Sequence, residues 1–200
     1  MKIIALDING VLDSVDSAIA NYTLRDKEKK LKHGDREELE LDFVSVGLLK
    51  RLCDTTDARI LVSSSMRAGR EEADFIRIFA YYGWKNFPYA GKTGYADVHL
   101  DRQKRGQEIQ NWVDEHHVTN YVILDDDSDM LTSQHDRFVH VSNISGFRTK
   151  HMCAASRILG YPQDQLEQQA HFIRHNSHGE HPVVYRGNRN DDGAKDEAPN

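Results

Sequence analysis

Three short apolar segments of this chain each run directly into residues that carry chemistry. Lys2–Leu6 ends at Asp7, Ala58–Val62 ends at Ser63-Ser64-Ser65, and Asn120–Leu124 ends at Asp125-Asp126-Asp127. Each is rich in Ile, Val and Leu and lacks strict alternation, the pattern of strands covered on both faces. Phe138–Ser142 is a fourth candidate strand. Between the strands lie helical patterns. Asp42–Cys53 puts Val44, Leu48, Leu49 and Leu52 on one face, with Asp42 as N-cap. Arg70–Tyr82 repeats the spacing with Phe75, Ile78, Phe79 and Tyr82 and stops at Gly83. Lys104–Glu115 turns Ile109, Trp112 and Val113 inward, and Thr149–Leu159 does the same with Met152, Ala155 and Ile158. Strands alternating with helices predict an α/β fold, a three-layer Rossmann-like sandwich with a parallel central sheet.

Two segments leave this rhythm. A small, highly charged insert is expected at about residues 14–41, and the chain turns polar after about residue 160. The expected organisation is one domain over residues 1–160, an extension over 161–187, and a disordered tail over 188–200. A chain of 200 residues with 38% hydrophobic and 29% charged residues has material for one core of this size. Its formal charge of −6 argues against a protein that grips nucleic acid through bulk basicity and leaves open a local basic patch. No apolar run approaches the roughly 20 residues that a membrane-spanning helix needs, and the aspartate at position 7 interrupts any secretory signal. A cytoplasmic protein without a membrane partner is expected. Cys53 and Cys153 then read as buried free thiols.

In an open α/β sheet, ligands bind beyond the carboxyl ends of the strands. Three neighbouring strand ends bearing Asp, Ser and an Asp cluster would form a site for a divalent cation and a phosphate. Hard oxygen donors of this kind suit Mg²⁺.

Four motifs in order make the comparison specific. Asp7-Ile8-Asn9-Gly10-Val11-Leu12 resembles the first motif of the haloacid dehalogenase (HAD) superfamily, and Ile60-Leu61-Val62-Ser63-Ser64 resembles the second. Arg105-Gly106-Gln107-Glu108-Ile109 resembles the basic third motif, and Val122-Ile123-Leu124-Asp125-Asp126 the acidic fourth. The resemblance is to small, lid-poor phage and bacterial members, some of them associated with RNA-repair proteins. Those members carry Ser-(Ser/Thr)-Trp-Arg, whereas Ser64-Ser65-Met66-Arg67 has Met in place of Trp.

The resemblance implies a Mg²⁺-dependent phosphatase that hydrolyses a phosphomonoester. Asp7 would be the nucleophile and form an aspartyl-phosphate. Asp7, the backbone carbonyl of Asn9, Asp126 and Asp125 would hold the metal. Ser63 would hydrogen-bond a phosphate oxygen, while Arg105, with Lys104 as second choice, would stabilise transition-state charge. Gly10, Ser64 and Arg67 complete the expected substrate contacts, Gly10 also allowing a tight turn. The association with RNA repair turns the expected partner from a phosphorylated small molecule such as a sugar phosphate towards a nucleotide or a nucleic-acid end. The negative net charge pulls slightly the other way.

Asn9 departs from the pattern. Phosphatases of this superfamily have an aspartate there, which protonates the leaving oxygen and activates the hydrolytic water. Losing such help typically costs about 10²–10⁴-fold. Three readings stand open: a substitution introduced to trap substrate, a natural enzyme with a good leaving group, or a module that binds a phosphorylated ligand or a protein partner without turnover. Asp13 is a weak substitute for the missing acid.

Three other patterns were weighed against this reading. Asp125, Asp127 and Asp129 have calcium-loop spacing, but Met130 stands where that loop needs glycine. Gly91-Lys92-Thr93 lacks the upstream glycine of a P-loop. His171, His175, His178 and His181 lie in a poor helix with no cysteine among them, and read as a solvated tail.

Overall fold

A computed structural model describes residues 1–24, 40–95 and 104–161. The chain divides into a unit of Met1–Gln163 and one of Asp164–Asn200. The second unit, most of the expected charged insert and the histidine tail lie outside the described residues.

The elements run β1 (Lys2–Leu6), α1 (Val15–Leu24), α2 (Phe43–Thr56), β2 (Ala58–Val62), α3 (Glu72–Tyr81), β3 (Tyr89–Lys92), α4 (Lys104–Glu115), β4 (Asn120–Asp125), β5 (Phe138–His140) and α5 (Thr149–Ile158). The five strands form one sheet in the order β3-β2-β1-β4-β5, and every pairing is parallel. Helices flank the sheet, as the α/β sandwich requires. The chain builds outward from β1 to β3, then crosses back to β4. The switch point, where a crevice opens above an open parallel sheet, therefore lies between β1 and β4.

Period-two alternation sorts the strand residues onto two faces. Ile3, Ala5, Leu61, Tyr121 and Ile123 form one cluster with Ile109, Trp112 and Val113 of α4. Ile4, Leu6, Ile60, Val62, Val122 and Leu124 alternate with them and are also fully buried. Strands wrapped on both sides read as continuous apolar runs for this reason. Helices α2 and α5 pack on each other and on β2 and β4. Their first turns are joined where Arg148 Nη1 donates to Asp42 Oδ2 at 2.7 Å, while Asp42 caps α2 through the Val44 N–H.

The elements differ from expectation in instructive places. Strand β3 carries no strong apolar signal: it is a half-buried edge strand, Tyr-Ala-Gly-Lys. It contains Gly91 and Lys92, so the Gly-Lys-Thr triplet continues a strand and forms no phosphate loop. The inward face of α2 is turned from the expected one. Val46, Leu49 and Leu52 are buried, whereas Val44 is exposed, because Asp42 and Arg148 fix the first turn beside α5. Cys153, expected to be buried, is half-exposed on α5; Cys53 is buried, and burial pushes its thiol up.

Gly106 in α4 sets how closely that helix approaches the segment after β4. A Cβ there would overlap the backbone nitrogen of Leu131 and stand 2.7 Å from Gln134 Oε1. Buried Gln134 in turn donates to the Gly106 carbonyl at 2.9 Å. Alanine is favoured over glycine inside a helix by about 1 kcal/mol. The clash is with backbone and a fully buried side chain, and overpacking of that kind costs about 1–3 kcal/mol. Gly106→Ala should therefore destabilise the protein, read as a lower urea midpoint with unchanged slope. A raised midpoint would show that the α4 approach is loose.

Candidate active site

The site is the continuation of the α4-facing columns past the ends of the strands. Backbone bonds extend the parallel ladder by one residue: Asp7 N–H to the Leu124 carbonyl, Ser63 N–H to Leu6, and Thr93 N–H to Val62. By alternation, Asp7 follows Ile3 and Ala5, Ser63 follows Leu61, and Asp125 follows Tyr121 and Ile123 on the same face. Gly91 faces Trp112 of α4, and Thr93 follows it. Four adjacent strands thus present a row of Thr93, Ser63, Asp7 and Asp125 at the head of α4, where the apolar column gives way to polar side chains.

Asp7, Asp125 and Asp126 bring carboxylate oxygens within 4.8 Å of one another, the one such cluster of potential metal ligands among the described residues. Burial pushes the Asp7 carboxyl up to about 6, against the opposing pull of Arg105 and of a hydrogen bond from the Ser64 hydroxyl. Burial and then the Asp7 charge push Asp125 up to about 8. Asp126, more open, is raised by burial and by its neighbour Asp127. Gly10 makes the close approach possible. It holds φ at +73°, and any Cβ would overlap the Asp126 carboxylate.

Arg105 supplies the facing positive charge. Its Nη2 lies 3.9 Å from Asp7 Oδ1, and its Nε lies 3.7 Å from Asp125 Oδ2. It is placed by Asp129, whose carboxylate accepts the Arg105 N–H at 3.2 Å while its carbonyl accepts the Gly106 N–H. Asp129 thereby caps α4 from another part of the chain. Asp125 and Asp126 converge on Asp7 at the end of β1 and not on Asp127 and Asp129, so the clustered carboxylates are not those of the calcium-loop spacing.

Ser63 Oγ, Thr93 Oγ1, Arg105 Nη1 and Asp125 Oδ2 are buried without a hydrogen-bond partner. Each such atom costs about 1–3 kcal/mol if left so. Arg105 and Asp125 stand beside the Asp7 carboxylate, and unpartnered groups there are what a bound ligand would satisfy. Two carboxylates of one sign with an orphaned oxygen, beside a third, are donors that fit a hard divalent cation.

The other expected site residues fall in different places. Arg67, expected on substrate, is buried and commits its whole guanidinium to the protein. Nε donates to the Thr93 carbonyl, Nη1 to the carbonyls of Ser63 and Ser64, and Nη2 to the Gly94 carbonyl and to Glu108 Oε2 at 2.7 Å. It holds the loop after β2 against α4. Ser64, also expected on substrate, is buried in the loop after β2, where its Oγ accepts the Met66 N–H and caps the short turn Ser65–Arg67. The Gly10 N–H donates to Asp13 Oδ1 at 2.6 Å, which also ties down Asp13. Lys104 is exposed at the start of α4, and Asn9 is exposed in the loop after Asp7. Sequence reasoning missed Thr93 and Glu108. Thr93 follows a strand with no apolar signature, and Glu108, although it lies within the third motif, sits on the buried side of a helix three residues after Arg105 with no local sign of a buried partner.

The family described as HAD domain in Swiss Army Knife RNA repair proteins matches residues 3–152. No curated protein and no solved structure matches the chain.

Two outcomes test this geometry. Glu108→Ala leaves a buried guanidinium without its counter-charge and should cost about 3–5 kcal/mol in chemical denaturation. A loss below 1 kcal/mol would mean that water reaches Arg67. The second concerns pH. The folded-state values of Asp7 and Asp125 lie above the unfolded ones, so between about pH 4 and 8 the folded chain binds more protons and stability falls as pH rises. The melting temperature of the metal-free protein should fall from pH 5 to pH 8, and a divalent cation should raise it more at pH 8. In an Asp7→Asn, Asp125→Asn variant both effects should flatten; a persistent slope would place its cause elsewhere.

Proposed function

The chain belongs to the family of HAD domains found in Swiss Army Knife RNA repair proteins, and on that premise we propose that it hydrolyses a phosphomonoester through a covalent phosphate on Asp7. The observation that carries the reading is the placement of Asp7. It stands at the switch point of the sheet, clustered with Asp125 and Asp126 and faced by Arg105 at 3.9 Å.

One Asp7 oxygen attacks phosphorus, forming an Asp7 O–P bond as the ester P–O bond breaks and the leaving alcohol oxygen departs with the electron pair. Water then attacks the phosphorus, releasing phosphate and restoring the carboxylate. Arg105 Nη1 and Ser63 Oγ are the unpartnered donors suited to non-bridging phosphate oxygens, where charge accumulates in the transition state. The cluster alone would repel an anionic phosphate. Mg²⁺, held by Asp7, Asp126, the Asn9 carbonyl and Asp125, would supply the charge that reverses this repulsion. The substrate we favour is a nucleotide or a nucleic-acid end, a choice supported by the family's association with RNA repair proteins.

Asn9 favours a second reading, a module that binds a phosphorylated ligand with little turnover. An amide in the loop after Asp7 neither donates a proton to the leaving oxygen nor accepts one from water.

Phosphate release should be measured with and without Mg²⁺ from nucleotides, phosphorylated oligonucleotides and an aryl phosphate. Asp7→Ala should abolish release on every substrate. Asn9→Asp should raise it by about 10²–10⁴-fold on alkyl esters and less on the aryl ester, whose leaving group needs no proton. Silence of both the protein and its Asn9→Asp variant, with a nucleotide still bound, would select the binding module.

A further inference from the structure

Two residues beyond Thr93, the outermost of the strand-end side chains, stands an aromatic ring held in place by a buried cation. Tyr95 lies just beyond β3 and is 64% exposed. The Arg67 guanidinium sits 4.4 Å from its ring centroid. That guanidinium cannot follow the ring, because four backbone carbonyls and Glu108 take all its N–H groups. One face of Tyr95 is therefore fixed against Arg67, and the exposure belongs to the other face. An aromatic side chain free to turn would shed apolar area by folding down. Here the cation holds it, at a gain of about 0.5–2 kcal/mol.

The ring's position relative to Asp7 follows from the sheet. Arg67 bonds to Glu108 on α4, so Tyr95 stands on the α4 side, the side of the Asp7 carboxylate. Strand β3 is two strand spacings from β1, about 10 Å. A ribose joining a phosphate to a base, met by the length of a tyrosine side chain, spans that gap. Bases stack on such rings irrespective of sequence, at about 1–3 kcal/mol each. A sugar phosphate would leave the ring untouched.

We propose that Tyr95, braced by Arg67, is the stacking platform for the nucleobase of a substrate whose phosphate sits at Asp7. The ligand is a phosphomonoester carried on a nucleoside, free or at the end of an oligonucleotide. This rests on the phosphohydrolase reading for the position of the phosphate. Thr93, two residues earlier, has its buried hydroxyl unpartnered on the same strand extension.

The test uses the full chain, its Tyr95→Ala and Tyr95→Phe variants, and the same three on the Asn9→Asp background. Substrates are adenosine monophosphate, a short phosphorylated oligonucleotide and ribose 5-phosphate, all with Mg²⁺. The quantity read is the KM for each base-bearing substrate divided by that for ribose 5-phosphate. Tyr95→Ala should raise this ratio roughly 5- to 150-fold with kcat little changed, and Tyr95→Phe should keep it near the original value. A change confined to the oligonucleotide or to the free nucleotide identifies which source the site takes. An unchanged ratio alongside active turnover overturns the platform and leaves the phosphohydrolase reading standing. If no form turns over substrate, calorimetric binding of adenosine monophosphate against ribose 5-phosphate takes its place. A nucleotide preference lost in Tyr95→Ala then supports the platform while the hydrolase fails, and absence of that preference overturns both.

Discussion

Three carboxylates stand almost in contact at the end of an apolar sheet face, and the rest of the architecture answers that crowding. Asp7 and Asp125 are nearly as buried as the isoleucines and leucines beneath them. Desolvation opposes their charge, and each opposes the other's. In water such a pair would simply separate. Here parallel ladders on both sides of β1 fix the backbone beneath each carboxylate, so the side chains have nowhere to retreat. Buried charges persist only when paired or when a cation is supplied. The fold provides Arg105 as one such charge and leaves oxygen donors for a second.

Helix α4 is the means by which that charge is positioned. Its lower turns close the apolar core, and its first turn delivers Arg105 to the carboxylates. Three contacts set its height and rotation: Asp129 at its N-terminus, Gln134 against Gly106, and Glu108 on Arg67. The same Arg67 holds the loop that carries Ser63 and Ser64. A single buried ion pair thus sets the spacing between the serine loop and the arginine helix. This gives Glu108 a consequence for the site that it does not itself touch, acting through Arg67, which holds the carbonyls of Ser63, Ser64 and Thr93.

The strong strands were legible because both their faces are covered, so apolar residues run unbroken through Ile3–Leu6, Ile60–Val62 and Tyr121–Leu124. Their polar successors were legible as candidate site residues for the same reason: charge directly after such a run has to emerge at the sheet end. Helix α4 was equally clear, with boundaries at Lys104 and Glu115 and Ile109, Trp112 and Val113 inward. Strand β3 was hidden. An edge strand has one paired side and needs little apolar area, so Tyr89–Lys92 reads as loop. The rotation of α2 was hidden too, because a long-range bond from Arg148 decides it.

What the sequence by itself determined is the set of chemical groups and the strand ends that carry them: an aspartate, serines and an acidic cluster after three buried strands, with Arg105 at a helix start. Those follow from local periodicity, which depends on neighbours a few residues apart. Only the tertiary structure decided which groups face the site and which are committed elsewhere. Arg67 and Arg105 are both arginines beside a family motif, yet one has every N–H bound to the protein and the other retains an unpartnered nitrogen. Hydrogen-bond partners of this kind come from segments tens of residues away, and their identity depends on strand order and register, which no local pattern encodes.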